Sequence, residues 1–270
     1  MEQLITEIEQ VAQVEQVVRE VGHLLAERQS AEPIAARTRA EALAAFGALD
    51  RPATGLLRER LGALRPQAGW LTDELATALP ADGEWWSCDA TDGAVQYLLG
   101  LPHWAVTATL LREGRAVLAV VHAPRLGATY TAVRGAGARL NGRRIRPSER
   151  ELAVAVVATS HPPTITEEPD ALRRVGATTS AVIGAGVLAV RNLGPTALQV
   201  AQVGSGHLDA FWECGLDAPN LLGGALIAAE AGARVTDHAG RPWQPSTSTG
   251  FLAAPVGQHE ALVRVLGAVA

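Results

Sequence analysis

Acidic residues stand where the apolar runs of this chain end. Asp73 and Glu74 follow the run 69–72, Asp89 and Asp92 follow the run 84–88, and Asp217 precedes the apolar stretch from Leu221. The order Asp89-Ala90-Thr91-Asp92-Gly93 sets two carboxylates three residues apart, with Gly93 free to bend the backbone sharply. Carboxylates that converge repel one another unless a cation neutralises them, and an all-oxygen site of this kind suits Mg2+. Asp and Gly are also ordinary turn residues, so this spacing by itself is equally that of a plain turn. Other chemistry has less support. The seven histidines show no metal-ligand spacing, and no Ser or Cys lies in a nucleophile motif. Cys88 and Cys214 lack metal-type spacing and read as small buried side chains of a reduced protein.

The elements that must position these acids are legible from periodicity. Ile8, Val11, Val14, Val18, Val21 and Leu25 recur at helical spacing over residues 3–28, a face that can dock on the domain or pair with a second subunit, docking being the reading preferred. Ala-rich helix follows to about residue 64, before Pro66. The period then shortens. Runs at 84–94, 104–111, 116–124 and 128–135 alternate or are continuously apolar, with Gly and Pro between them, as strands would be. Asn141-Gly142 marks a tight hairpin, and Gly135-Ala136-Gly137 reads as a turn rather than a phosphate loop because it does not open a helix. Residues 152–160 read as a strand, 167–175 as a helix, 180–186 and 208–213 as strands, and 195–205 and 219–232 as helices. Gly223, Gly224 and Ala225 make the last of these thin enough for close approach. Helices and strands interleave throughout, which predicts a layered α/β fold.

With 48% hydrophobic and 19% charged residues, the 270-residue chain is globular rather than disordered. A net charge of −5 argues against a nucleic-acid surface, and the arginines between Arg139 and Arg150 read as a solvated turn. The N-terminal residues carry acids where a secretory signal needs bases, and no apolar run is long enough to span a bilayer. A cytoplasmic location follows as the expectation, with neither membrane nor nucleic acid as partner.

From about residue 34 onward the chain resembles the inositol-monophosphatase superfamily of Mg2+-dependent phosphomonoesterases. The resemblance is densest over 85–124, where Asp89-Ala90-Thr91-Asp92-Gly93 is similar to the family's metal turn. Residues 129–148, 156–163, 191–216 and 223–243 continue it in the family's order. It implies an αβαβα sandwich at 34–270, with halves near 34–150 and 151–270, preceded by an N-terminal helix at 1–33. It also implies a homodimer and a small phosphorylated polyol, sugar or nucleotide as substrate. By the same resemblance Asp89 bridges two metals, Asp92 ligates the second, and the Ala90-Thr91 backbone supplies a carbonyl. The amides of Gly93 and Ala94 hold phosphate, and Glu213 contacts substrate hydroxyls. Asp73 and Glu74 stand for the family's paired glutamates.

The departures from that pattern are specific. Ala94 stands where the family carries a hydroxyl that orients water, and Asp73 is one methylene shorter than the family's ligand. Asn220, ten residues before Glu230, replaces a metal-ligating Asp and removes one unit of charge, which Asp217 could partly restore. Asp50 reads as a helix-surface acid or an outer ligand. Three functions are therefore open: a Mg2+-assisted phosphomonoesterase with a weakened metal site, a repurposed enzyme using acids such as Glu74 or Asp92 without metal, and a non-catalytic binding subunit. The second rests on Trp70, Trp85, Trp86, Trp104 and Trp212 lining an apolar pocket, although core packing is their commoner role.

Overall fold

The computed structural model describes residues 2–71, 78–162 and 164–269. Asp73 and Glu74 therefore lie outside the described residues. The chain opens with helices α1 (Glu2–Arg28) and α2 (Arg39–Leu64), the second started by a reciprocal cap between Thr38 and Glu41. A seven-stranded sheet follows in sequential order: β1 (Gly69–Trp70), β2 (Glu84–Asp92), β3 (Ala105–Arg112), β4 (Arg115–Ala123), β5 (Ala128–Val133), β6 (Gly137–Leu140) and β7 (Arg143–Arg144). Between β2 and β3 lies the short helix α3 (Ala94–Leu98). The second half alternates β8 (Val156–Ser160), α4 (Pro169–Gly184), β9 (Ala189–Arg191), α5 (Thr196–Gly204), β10 (Ala210–Cys214), α6 (Ala218–Ala231), β11 (Arg234–Thr236), β12 (Gly250–Ala254) and α7 (Val256–Gly267). Its strands pair in the order β11-β12-β10-β8-β9.

Four apolar clusters glue five layers together. Helices α1 and α2 cover the outer face of the large sheet, and α5 with α6 fill the space between the sheets. The outer face of the smaller sheet is closed by α4 and α7. The αβαβα sandwich is thus the observed architecture. No helix of the described residues is long and apolar enough to cross a membrane.

The face of α1 that left docking or subunit pairing open is turned inward: Val14, Val18, Val21 and Leu25 are all buried against the sheet. Polar contacts fix it there. Arg112 pairs with Glu7 of α1 at 2.5 Å and with Glu84 at 2.6 Å, spanning helix and strand. The Asn141-Gly142 hairpin has positive φ at both residues, 49° and 77°, as a tight two-residue turn requires. Gly135 and Gly137 donate their amides to the Glu230 carboxylate at 2.9 and 3.0 Å. That turn grips an anion, but the anion is the chain's own.

Two readings of local pattern are corrected. Residues 180–186 are not a strand: α4 continues to Gly184, and Ala171, Thr178 and Val182 form its buried stripe. The Ala, Gly and Val content hid a period that only the tertiary packing reveals. The five indoles do not gather around one pocket. Trp86, Trp104 and Trp212 are fully buried core residues, Trp70 stacks on Trp86, and Trp85 packs over Gly69.

Close approach of α5 and α6 depends on a residue without a side chain. A Cβ on Gly224 would lie 2.6 Å from Val200 Cβ and 2.7 Å from the Ala197 carbonyl oxygen. Gly176, within α4, has open space at the same position. Gly224→Ala is therefore expected to destabilise the protein by about 1–3 kcal/mol, whereas Gly176→Ala stabilises it by about 0.5–1 kcal/mol. Urea denaturation midpoints of the two variants check this contrast.

Candidate active site

The acidic turn forms where β2 loses its register with β3. Pairing breaks between Asp89 and Asp92, so the strand end bulges and the intervening backbone is released from the ladder. The Asp89 carboxylate turns back to accept the Thr91 amide at 2.7 Å, and the Asp89 amide donates to Thr107 Oγ1 at 3.3 Å. The Thr91 hydroxyl donates to Asp50 of α2 at 3.4 Å. Asp50 is thus tied to the turn rather than being a plain helix-surface acid. Gly93 then takes φ 90°, in the left-handed region, and α3 starts at Ala94 with no side chain capping it.

Asp92 reaches into the layer between the sheets. Its carboxylate accepts the Ala197 amide at 3.1 Å in the first turn of α5, where free amides favour negative charge. Beside it stand two further acids. Glu213 is delivered by β10, and Asp217 sits immediately before α6. Asn220, one turn into α6, donates its side-chain amide to Asp217 at 2.7 Å. A carboxylate thus lies next to the neutral Asn220, that of Asp217.

Burial and mutual repulsion dominate the electrostatics of this group. Desolvation, and then the charge of Asp217, push the Asp92 carboxyl far above the usual carboxylate range. Desolvation also raises Asp217, although its bond from Asn220 opposes the shift. Glu213 is also raised well above the usual carboxylate range: burial comes first, then the charge of Asp217. Its two oxygens meet no donor among the described residues, so it can bond the facing Asp217 carboxylate only by sharing a proton. Asp209 is a useful contrast, because both it and Glu213 are 0% exposed. Asp209 receives Ser148 Oγ, Arg150 Nη1 at 2.9 Å and the Val156 amide at 2.7 Å. One buried acid is compensated by three donors. The other has none, and a buried acid left in that state marks a working site more often than a scaffold.

The acids present suit Mg2+ in kind, being hard oxygen donors. None of Asp92, Glu213 and Asp217 has an ion-pair partner among the described residues, so a divalent cation would meet no competing side-chain cation there and would favour their ionised forms. Among those residues no three His, Cys, Asp or Glu side chains converge as a ready-made cage. That is compatible with Mg2+, which usually takes one or two carboxylates and completes its shell with water and substrate phosphate.

Comparison with known proteins decides the family. A model of the inositol monophosphatase family matches residues 6–269. The chain belongs to the inositol monophosphatase family. An inositol-1-monophosphatase of Rhizobium meliloti strain 1021 is 37% identical over 201 residues, 71% of each chain. The Nus factor SuhB of Escherichia coli K12 is 31% identical over 197 residues, again 71% of each. The crystal structure of the extragenic suppressor protein suhB from Bartonella henselae superposes with a TM-score of 0.77 at 28% identity, covering 93% of this chain and 96% of that one. These relatives support a phosphatase-family hydrolase.

Within this family member, Asp89 to Ala94 form the bulged end of β2 and the start of α3, and Glu213 faces Asp217 and lies in the field of Asp92. Asn220 is present but turned onto Asp217. Two contributors were underweighted: Asp217, visible as an acid just ahead of a Pro-containing helix start, and the first turn of α5, which no local motif announces.

If Glu213 holds its proton at neutral pH, Glu213→Gln replaces it almost isosterically. The sign follows from linkage. A raised folded-state pKa gives stability that is complete below about pH 4, where the unfolded acid is also protonated, and that is lost as pH rises through the raised value. Stability of the parent in EDTA should therefore fall between pH 5 and pH 8, and the fall should be shallower in Glu213→Gln. Urea denaturation at the two pH values measures it.

Proposed function

We propose that this protein is a Mg2+-assisted phosphomonoesterase for a small phosphorylated polyol, sugar or nucleotide, working with a weakened metal site. The observation that carries this reading is the concentration of buried acids without an ion-pair partner among the described residues, Asp92, Glu213 and Asp217, beside the bulged Asp89–Asp92 turn. Asp89 and Asp92, with a backbone carbonyl of Ala90 or Thr91, would hold Mg2+, and Asp217 would supply charge where Asn220 brings a neutral oxygen. Asp73 and Glu74 remain part of the proposal on sequence alone. When bound, Mg2+ polarises the phosphate ester and favours ionisation of a nearby water.

The chain's own groups would do the positioning. The amides of Gly93 and Ala94, at the start of α3 where no side chain caps the helix, would donate to phosphate oxygens. The Asp89 carboxylate, fixed by the Thr91 amide, needs no reorganisation to meet its partner. Glu213 would contact the substrate's hydroxyl groups, donating to them while protonated. Ala94 offers no hydroxyl to orient water. Loss of one such donor in a different enzyme costs about 2.7–4 kcal/mol of transition-state stabilisation, so slow turnover is part of the reading. A cytoplasmic homodimer acting on small molecules, rather than on nucleic acid or a membrane, completes it. The metal-free alternative loses its main support with the indoles in the core.

Phosphate release from a panel of polyol, sugar and nucleotide monophosphates should require Mg2+ and fall by about a hundredfold or more in Asp89→Asn. Ala94→Thr should raise the rate. Turnover in Asp89→Asn equal to that of the parent would exclude the proposal.

A further inference from the structure

A cavity lies at the end of the large sheet opposite the acidic turn. β2 runs from Glu84 to Asp92, and at about 3.3 Å per residue its start lies roughly 26 Å from the acidic turn. Near that start, the turn between β3 and β4, the helix α6 and the segment 242–247 enclose a cavity of about 630 Å3, a volume typical of small-molecule sites. Its floor is apolar, formed by Leu222, Leu226, Val235 and Trp243. Its rim carries two exposed guanidinium groups, Arg115 and Arg134.

The charge of these arginines is unspent. Neither makes an ion pair among the described residues. Arg134 bonds the Ala116 carbonyl through Nε at 2.7 Å, which fixes its plane while leaving the two terminal nitrogens without a recorded partner. Glu113 is the single acid among the described lining residues, and its carboxylate accepts the Gly83 amide. An apolar floor with a flat indole, beneath a rim with surplus positive charge, matches a ligand with an aromatic body and one anionic group. None of these residues takes part in the acidic site, although α6 runs from that site to the cavity.

We infer that this cavity is an accessory binding site for an aromatic monoanion, seated against Trp243 with its carboxylate or sulfonate at Arg115 and Arg134. The probe is 1-anilinonaphthalene-8-sulfonate, titrated by fluorescence into the full-length protein in EDTA, so that the result does not depend on the phosphatase reading. Saturable one-site binding is expected. Ala229→Trp, which places an indole into the cavity from an exposed position, should abolish it. Arg115→Ala should weaken it by about threefold or more, and neutral N-phenyl-1-naphthylamine, with the same aromatic body, should bind more weakly than the sulfonate. Parent-like binding by either variant, absence of saturable binding, or equal affinity for the neutral compound overturns the inference.

Discussion

Three carboxylates buried within each other's field are the constraint around which the rest of this molecule is arranged. Asp92, Glu213 and Asp217 come from β2, β10 and the residue before α6, so both sheets and the middle helical layer meet at that point. Burying unpaired acids is unfavourable, and the fold meets that penalty only in part. The first turn of α5 donates to Asp92 and Asn220 donates to Asp217, while burial and the charge of Asp217 favour the protonated form of Glu213. What remains is a demand for positive charge, which a divalent cation would meet.

The packing around the cluster keeps that demand in place. Gly224 lets α6 approach α5 closely enough for the two helix starts to face the same acids. Outside this layer, α1 and α2 clamp the large sheet through a continuous apolar face and the Glu7–Arg112–Glu84 pairs. A rigid sheet gives the bulged end of β2 a fixed base, so the position of Asp89 relative to Asp92 is set by backbone geometry rather than by a mobile loop. Compensated acids such as Asp209 and Glu230 show that the fold readily supplies donors where a carboxylate is structural. Their absence at Glu213 is therefore specific.

Much of this was legible from local pattern. Strict helical spacing in α1, the Asn141-Gly142 turn and the apolar runs of β2 to β5 each have short-range causes, and each stands as expected. The end of α4 did not, because a stretch rich in Ala, Gly and Val carries little periodic contrast until Val182 and Thr178 find their neighbours. The same distinction holds at the site. The turn from Asp89 to Gly93 is a local motif. The pairing of Asp92 with Asp217, and the link from Asp50 to Thr91, join residues far apart in the chain and arise only when the layers close. Asp73 and Glu74 lie outside the described residues, so their part in the site still rests on the resemblance alone.

Mg2+ binding in the proposed site depends on Asp217 supplying the charge that Asn220 does not. Mg2+ titration by calorimetry of the parent, Asp217→Asn and the double variant Asp217→Asn/Asn220→Asp tests this directly. Binding weakened by about tenfold or more in the single variant, and recovered in the double, is the predicted result. An Asp217→Asn protein that binds Mg2+ as the parent does would contradict it.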